Sequence, residues 1–327
     1  MTMEVETRPS RPVERGAYLT NIAQAGTLLA AFVTLLALIL RPEFGNGGIV
    51  IALLTAVAIG ALATRIAPSS LMRIYGARPY EAGDLAQFDR ITTELARRAG
   101  LRRAPRIYVV PSMLLSAFSM GSSRQFAIAV TEGLLRRLTM REVAAVLARE
   151  VAHAQRGDLV VLGIADWISR FAQAGYYVGL ALAALNIWRG ISGGEAVSWL
   201  SVALLIAAPA LMTLLQLALS SAREIDADRA AALLTGDSLG VASAVSRIDP
   251  IPGSALDDLL PPVPARKVPL PSMLRYPPPS GRRIARLNAF QAPPMPPLDI
   301  AEGPRISLIG VGPIEMRPRY RWPGVWF

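Results

Sequence analysis

Four long apolar runs constrain this chain more than anything else in it. Residues 17–40, 47–64, 171–188 and 196–219 approach or exceed the ~20 residues that a helix needs to cross a bilayer. Each reads as a membrane helix, and the four form two hairpins. The third run is the least uniform, because Asp166 and Arg170 stand at its entrance. Their i,i+4 spacing lets them pair on one helix face. Charges at such a depth are also functional candidates. The first run is longer than a cleavable leader, and no small-residue cleavage pattern follows it.

Charge placement orients the hairpins. Arg8, Arg11 and Arg15 precede the first run, while Arg65, Arg73 and Arg78 follow the second. Arg41 and Arg189 lie in the short loops inside the pairs. The positive-inside rule then puts the N-terminus, the segment between the hairpins and the C-terminus in the cytoplasm. The bilayer is then the expected partner. The net charge of +10 is almost all arginine, since Lys267 is the only lysine. Those arginines are dispersed around apolar runs, so they argue for membrane flanks and against nucleic acid. The chain has no cysteine, which excludes disulfides, thiolate metal sites and cysteine nucleophiles.

The chain divides into a polar arm (1–16), a first hairpin (17–67), a soluble segment (68–158), a second hairpin (159–219), a completing segment (220–290) and a Pro-rich tail (291–327). In the soluble segment, residues 84–99 carry an apolar stripe at helical spacing. Residues 106–110 are rich in β-formers. Residues 114–120 and 126–130 read as two strands around Gly121-Ser122-Ser123, followed by a short helix at 131–138. Thr139-Met140-Arg141-Glu142 is a capping box, opening a helix that Gly157 stops. Residues 220–234 continue the fourth run as helix. Beyond Pro250 most of the chain's 26 prolines accumulate. Polyproline-like pieces at 277–279 and 293–297 leave room for only a short helix near residues 282–287.

The capped helix carries Arg149-Glu150-Val151-Ala152-His153. A zinc peptidase has H-E-x-x-H in this place, two histidines one turn apart with the glutamate as general base. Here the first histidine is arginine, and His153 is the only histidine in the chain. Downstream stands Glu224-Ile225-Asp226-Ala227-Asp228, an E-x-x-A-D motif. Ser116-Ala117-Phe118-Ser119-Met120-Gly121, Val130-Thr131-Glu132-Gly133-Leu134-Leu135, and Tyr276-Pro277-Pro278 with Arg282-Arg283-Ile284-Ala285-Arg286-Leu287 complete the series.

In this order, over residues 15–290, the series resembles the HtpX family of integral-membrane zinc metallopeptidases, relatives of the CaaX prenyl proteases. The resemblance implies a mainly α membrane protein, four transmembrane helices with a small α+β zincin-like cytoplasmic domain. It implies zinc as cofactor, with His153 and Glu224 as ligands and Glu150 as general base. Asp228, with Arg149 and Arg223 beside it, would steady an imidazole or the helix pair behind them. Ser116, Ala117 and Phe118 would lie on an edge strand that takes substrate, with membrane or misfolded proteins as the substrates implied.

The departures bear on the chemistry. Ser116 stands where the family has asparagine, Tyr276 where it has histidine, and Arg149 at the first ligand. Arginine stays protonated and offers no lone pair to a metal, and catalytic zinc takes three protein ligands. A guanidinium can instead grip a carboxylate in a bidentate way. Arg149 is therefore expected to pair with Glu224, or with Glu150 and Asp228, as a cation bridging two helices. Arg223 and Arg229 are otherwise cytoplasmic flanks of the fourth run. Three functions compete: a zinc endopeptidase with unusual ligation, a pseudoprotease that binds an extended segment by strand addition, and a membrane scaffold with no use for the cleft.

Overall fold

The computed structural model describes residues 12–65, 68–74, 76–80, 86–122, 125–248 and 280–290, together with 296, 298, 300, 320–321 and 325–326. The polyproline-like pieces fall almost wholly outside the described residues.

Helices α1 (Pro12–Phe44) and α2 (Asn46–Arg65) form the first hairpin. Only Gly45 separates them, at φ 55. The helix begins at Pro12, so residues 12–16 of the expected polar arm are helical; residues 1–11 lie outside the described set. Among the described residues three helical stretches are long and apolar enough to cross a membrane: Leu19–Phe44, Asn46–Arg65 and Trp199–Leu219. The remaining predicted run lies within α7 (Asp158–Ser192), a 35-residue helix. Gln173, Tyr176, Tyr177 and Asn186 dilute its apolar character.

α7 and α8 (Trp199–Thr235) make the second hairpin. They approach closely because Gly179 has no side chain: a Cβ there would lie 2.9 Å from Leu205 Cβ. Small residues permit such approach where no hydrophobic force between helices operates. Polar groups in the seam find partners. Gln216 on α8 donates to the Ala165 carbonyl at 3.1 Å, and Arg170 Nε lies 2.9 Å from Asp166 Oδ2. The expected i,i+4 ion pair is present.

Between the hairpins lie α3 (Pro68–Ile74), α4 (Ala86–Arg98) and a four-stranded sheet. Strands β1 (Arg78–Pro79), β2 (Arg106–Val110), β3 (Ala117–Ser122) and β4 (Gln125–Thr131) run in the order β1-β2-β4-β3. β2 and β4 are parallel, with Ile107 opposite Ile128. β3 is antiparallel to β4, with Phe118 opposite Ala129, and ends the sheet. The hairpin turns later than the sequence suggested, since Gly121 and Ser122 still pair.

Thr131 caps α5 (Glu132–Arg137), and Thr139 caps α6 (Met140–Arg156). The capping box is complete: Glu142 N–H donates to Thr139 Oγ1, and Thr139 N–H donates to Glu142 Oε2 at 2.9 Å. Thr139→Ala is expected to cost about 1 kcal/mol, measured by thermal unfolding in detergent micelles. Gly157 ends α6 in the left-handed region at φ 76, which a Cβ would resist. α6 is buried from Glu142 to Ala154 and packs against α8, α4, β3 and α9 (Ser238–Arg247). α10 (Ser280–Ala289) follows and lies against α9 and α8. Near the C-terminus Tyr320–Arg321 pairs with Val325–Trp326, a short ladder that the prolines of this region did not suggest.

Asp237 ties α9 to α6. It accepts from Gly240 N–H at 2.8 Å and from Arg141 at 2.6 and 2.8 Å. The Arg141 hydrogen bond, against the opposing effect of burial, holds its carboxyl below the ordinary value of 3.8. A depressed carboxylate pKa gives stability that is present above the unfolded value and lost as the pH falls through the folded one. Unfolding midpoints should therefore drop as the pH is lowered below 3.8. Asp237→Asn should flatten part of that slope, by a modest amount because the pair is partly exposed.

Candidate active site

A helix that presents Arg149, Glu150 and His153 inward must bury three ionisable groups. The capping box and the αL stop fix its ends, and alanines and valines make up much of its buried surface, small enough for close approach. Arg149 and His153, one turn apart, both face the stretch of α8 that carries Glu224 and Asp228. Those two carboxylates are likewise one turn apart.

The Arg149 guanidinium hydrogen-bonds Glu224 through Nη2, and its Nε lies 2.8 Å from Asp228 Oδ1 as an ion pair. Asp228 also accepts from a second guanidinium: Arg283 of α10 donates to its two oxygens at 2.6 and 2.7 Å. Arg283 Nη2 is 3.8 Å from Glu224 Oε2. Burial alone would raise the Glu224 pKa, but Arg149 above all, then His153 and Arg283, hold it below its ordinary value. Burial likewise opposes the charge on Arg149, and Asp228 and Glu224 outweigh it, so its proton is held more tightly than usual.

Glu150 faces the sheet and accepts from Ser119 Oγ at 2.7 Å. Burial raises its pKa, and the nearby His153 and Arg149 oppose this without cancelling it. A carboxyl whose pKa is raised in this way is of the kind used for general acid–base chemistry. His153 Nδ1 lies 3.1 Å from Asp158 Oδ2 at the start of α7. Among the described residues its Nε2 has no hydrogen-bond partner, and it sits 3.7 Å from Glu224 Oε1.

Some residues take places that the sequence left open. Arg223 is buried, and its guanidinium hydrogen-bonds Gln24 of α1, so it is no solvated flank. Arg229 lies 5.0 Å over the Phe290 ring at the end of α10. Ser116 meets Thr131, its N–H donating to Oγ1 at 3.1 Å, while Ala117 and Phe118 pair with Val130 and Ala129. The strand residue bonded to the site is Ser119, one position further on. Asp158, Ser119 and Arg283 were not anticipated. The signal for Arg283 was present in its R-I-x-x-L motif, but nothing there named its partner.

Residues 84–291 match the family described as Peptidase family M48. Proteins named Protease HtpX homolog, from Burkholderia mallei (strain SAVP1) and Burkholderia pseudomallei (strains 668 and K96243), are each 33% identical to this chain over 233 residues. The aligned region covers 70% of the chain and 79% of each relative. The chain belongs to peptidase family M48. It is an HtpX-like integral membrane member, with three apolar helices of spanning length.

M48 membership implies zinc, and the donors present can be tested against that metal. Of the three positions that the sequence resemblance assigns to metal, two hold donors, His153 Nε2 and Glu224. The third is Arg149, which has no lone pair to give. Its guanidinium takes up Glu224 Oε2, one of the few oxygens a metal would use. Among the described residues no group of three or more His, Asp or Glu side chains is arranged to hold a metal ion. A catalytic zinc needs three such ligands. This donor set does not fit it.

Proposed function

We propose that this M48 protein is a membrane-anchored pseudoprotease, with zinc-dependent proteolysis impaired or lost, that uses the retained cleft to bind or regulate membrane or misfolded proteins. One observation carries the reading: a permanent cation at the first ligand position is already bonded to Glu224, the carboxylate the family uses for metal. The soluble part is zincin-like in the order of its pieces, a sheet followed by the motif helix and then the E-x-x-A-D helix. Binding by strand addition along residues 116–118 is supported by the place of β3 at the end of the sheet. Ser119 joins that strand to Glu150.

Four spans and a cytoplasmic soluble domain follow from the arginine placement, with a bacterial inner membrane as location. α7 is paired with α8 and supplies the third span in chain order. At 35 residues it reaches about 50 Å, longer than the hydrocarbon thickness.

The full-length protein in detergent, incubated with fluorescein-labelled unfolded casein and zinc, should bind the casein and leave it intact. A second reading, an active zinc endopeptidase with unusual ligation, draws on the unpartnered His153 Nε2 that faces Glu224 Oε1. Chelator-sensitive cleavage, abolished by Glu150→Gln, would establish that reading instead. Neither binding nor cleavage would leave a membrane scaffold without cleft function.

A further inference from the structure

Four buried charged groups meet at Arg149. Arg149, Glu224, Asp228 and Arg283 are 8%, 4%, 2% and 5% exposed. They come from three helices: α6 gives the first, α8 the two carboxylates and α10 the last. Asp228 is shared, gripped by Arg283 on both oxygens and approached by Arg149 Nε at 2.8 Å. Glu224 is held by Arg149 and flanked by Arg283. Two cations meet two anions, so the set is neutral in itself. A dication entering here would meet two guanidiniums at close range.

We propose that Arg149 is the resident cation of this centre, the cross-link between α6 and α8 that a bound metal would otherwise supply, so that the fold is held together without metal. The inference rests on the non-proteolytic reading in one respect, that zinc is not the native occupant. The burial makes the consequence sharp. Removing one member of a buried charge set strands its partner in a low-dielectric interior. Removing both members relieves the strain on each. Arg149→Gln leaves Glu224 without a hydrogen-bonded cation, with His153 at 3.7 Å and Arg283 at 3.8 Å, while Arg149→Gln with Glu224→Gln leaves Asp228 and Arg283 as an intact pair. An imidazole at position 149 would do something different: it removes one positive charge and adds a lone pair beside His153 Nε2 and Glu224.

Thermal unfolding of the full chain in detergent micelles tests this, with EDTA or zinc chloride added. The natural chain should show the same midpoint in both. Arg149→Gln and Glu224→Gln should each lower it by roughly 5–10 °C, again without response to either addition. The double variant should fall by clearly less than the sum of the two. Arg149→His should be low in EDTA and rise in zinc. A natural midpoint that drops in EDTA, an Arg149→Gln variant as stable as the natural chain, or additive single losses would each overturn the cross-link. Casein cleavage is read on the same natural sample. Cleavage there counts against the functional reading, while the double-variant coupling independently judges the cross-link.

Discussion

Asp228→Asn will destabilise this protein more than any other conservative change in its soluble part, by about 3–5 kcal/mol. The substitution keeps shape and volume and removes only charge. Asp228 is the shared carboxylate of the buried set, bonded by Arg283 at 2.6 and 2.7 Å and paired with Arg149 at 2.8 Å. The amide can accept at one oxygen only, and its NH2 would point at a guanidinium. Arg283 would then have only Glu224 at 3.8 Å among the carboxylates of the set, which Arg149 also uses. Arg283 is also what fastens α10 to α8, so α10 should loosen first, seen as faster proteolytic nicking near residues 280–289. Asp226→Asn is the control. Asp226 is exposed and meets Arg156 at 2.9 Å, and surface pairs of that kind contribute little. Equal losses from the two variants would contradict this account of the site.

Gly133→Ala is the second large effect, about 3 kcal/mol, and arises from the backbone rather than from charge. A Cβ at Gly133 would lie 2.2 Å from the Met113 carbonyl oxygen and 2.4 Å from its carbonyl carbon. No side chain there can move aside; the loop before β3 must shift. That loop is pinned by Gly133 N–H donating to the Ser112 carbonyl at 2.9 Å and by Thr131 N–H donating to the Ser116 carbonyl at 3.0 Å. Moving it displaces β3 and with it Ser119, the partner of Glu150. Gly163→Ala gives the contrast. Its Cβ would meet Ala63 at 3.6 Å, an ordinary contact, and alanine suits a helix interior better than glycine. Denaturation of the two variants side by side should show a large loss for the first and none for the second.

Much of this was readable from local pattern. Hydropathy marks the three spanning stretches, because burial in lipid demands uninterrupted apolar length. Thr139 with Glu142, and Gly157, fix both ends of α6, because end groups need specific partners. The resemblance placed Glu224 and Asp228 opposite Arg149 through motif order, and the expected pairing with Glu224 is the one the structure shows, with Asp228 added. What local pattern could not show lies across turns and distance. Asp158 follows the αL residue Gly157, where helical spacing rules stop applying, so its approach to His153 had no periodic signal. Arg283 reaches Asp228 across 55 positions of chain. Gln24 was legible in hindsight: a polar residue inside a spanning run asks for a partner, and here it has Arg223. The third predicted run does not stand out as a spanning stretch, because it lies in α7, which packs against β3 of the sheet as well as against α8.

The central claim is that a guanidinium stands where this family binds metal. The most direct test is the zinc content, by elemental analysis, of purified full-length protein equilibrated with zinc and freed of excess by dialysis. Arg149→His is carried through the same procedure. The account predicts no retained zinc in the natural chain and about one zinc per chain in the variant. Near-stoichiometric zinc in the natural chain would contradict it, and would place a metal beside His153 and Glu224 despite the arginine.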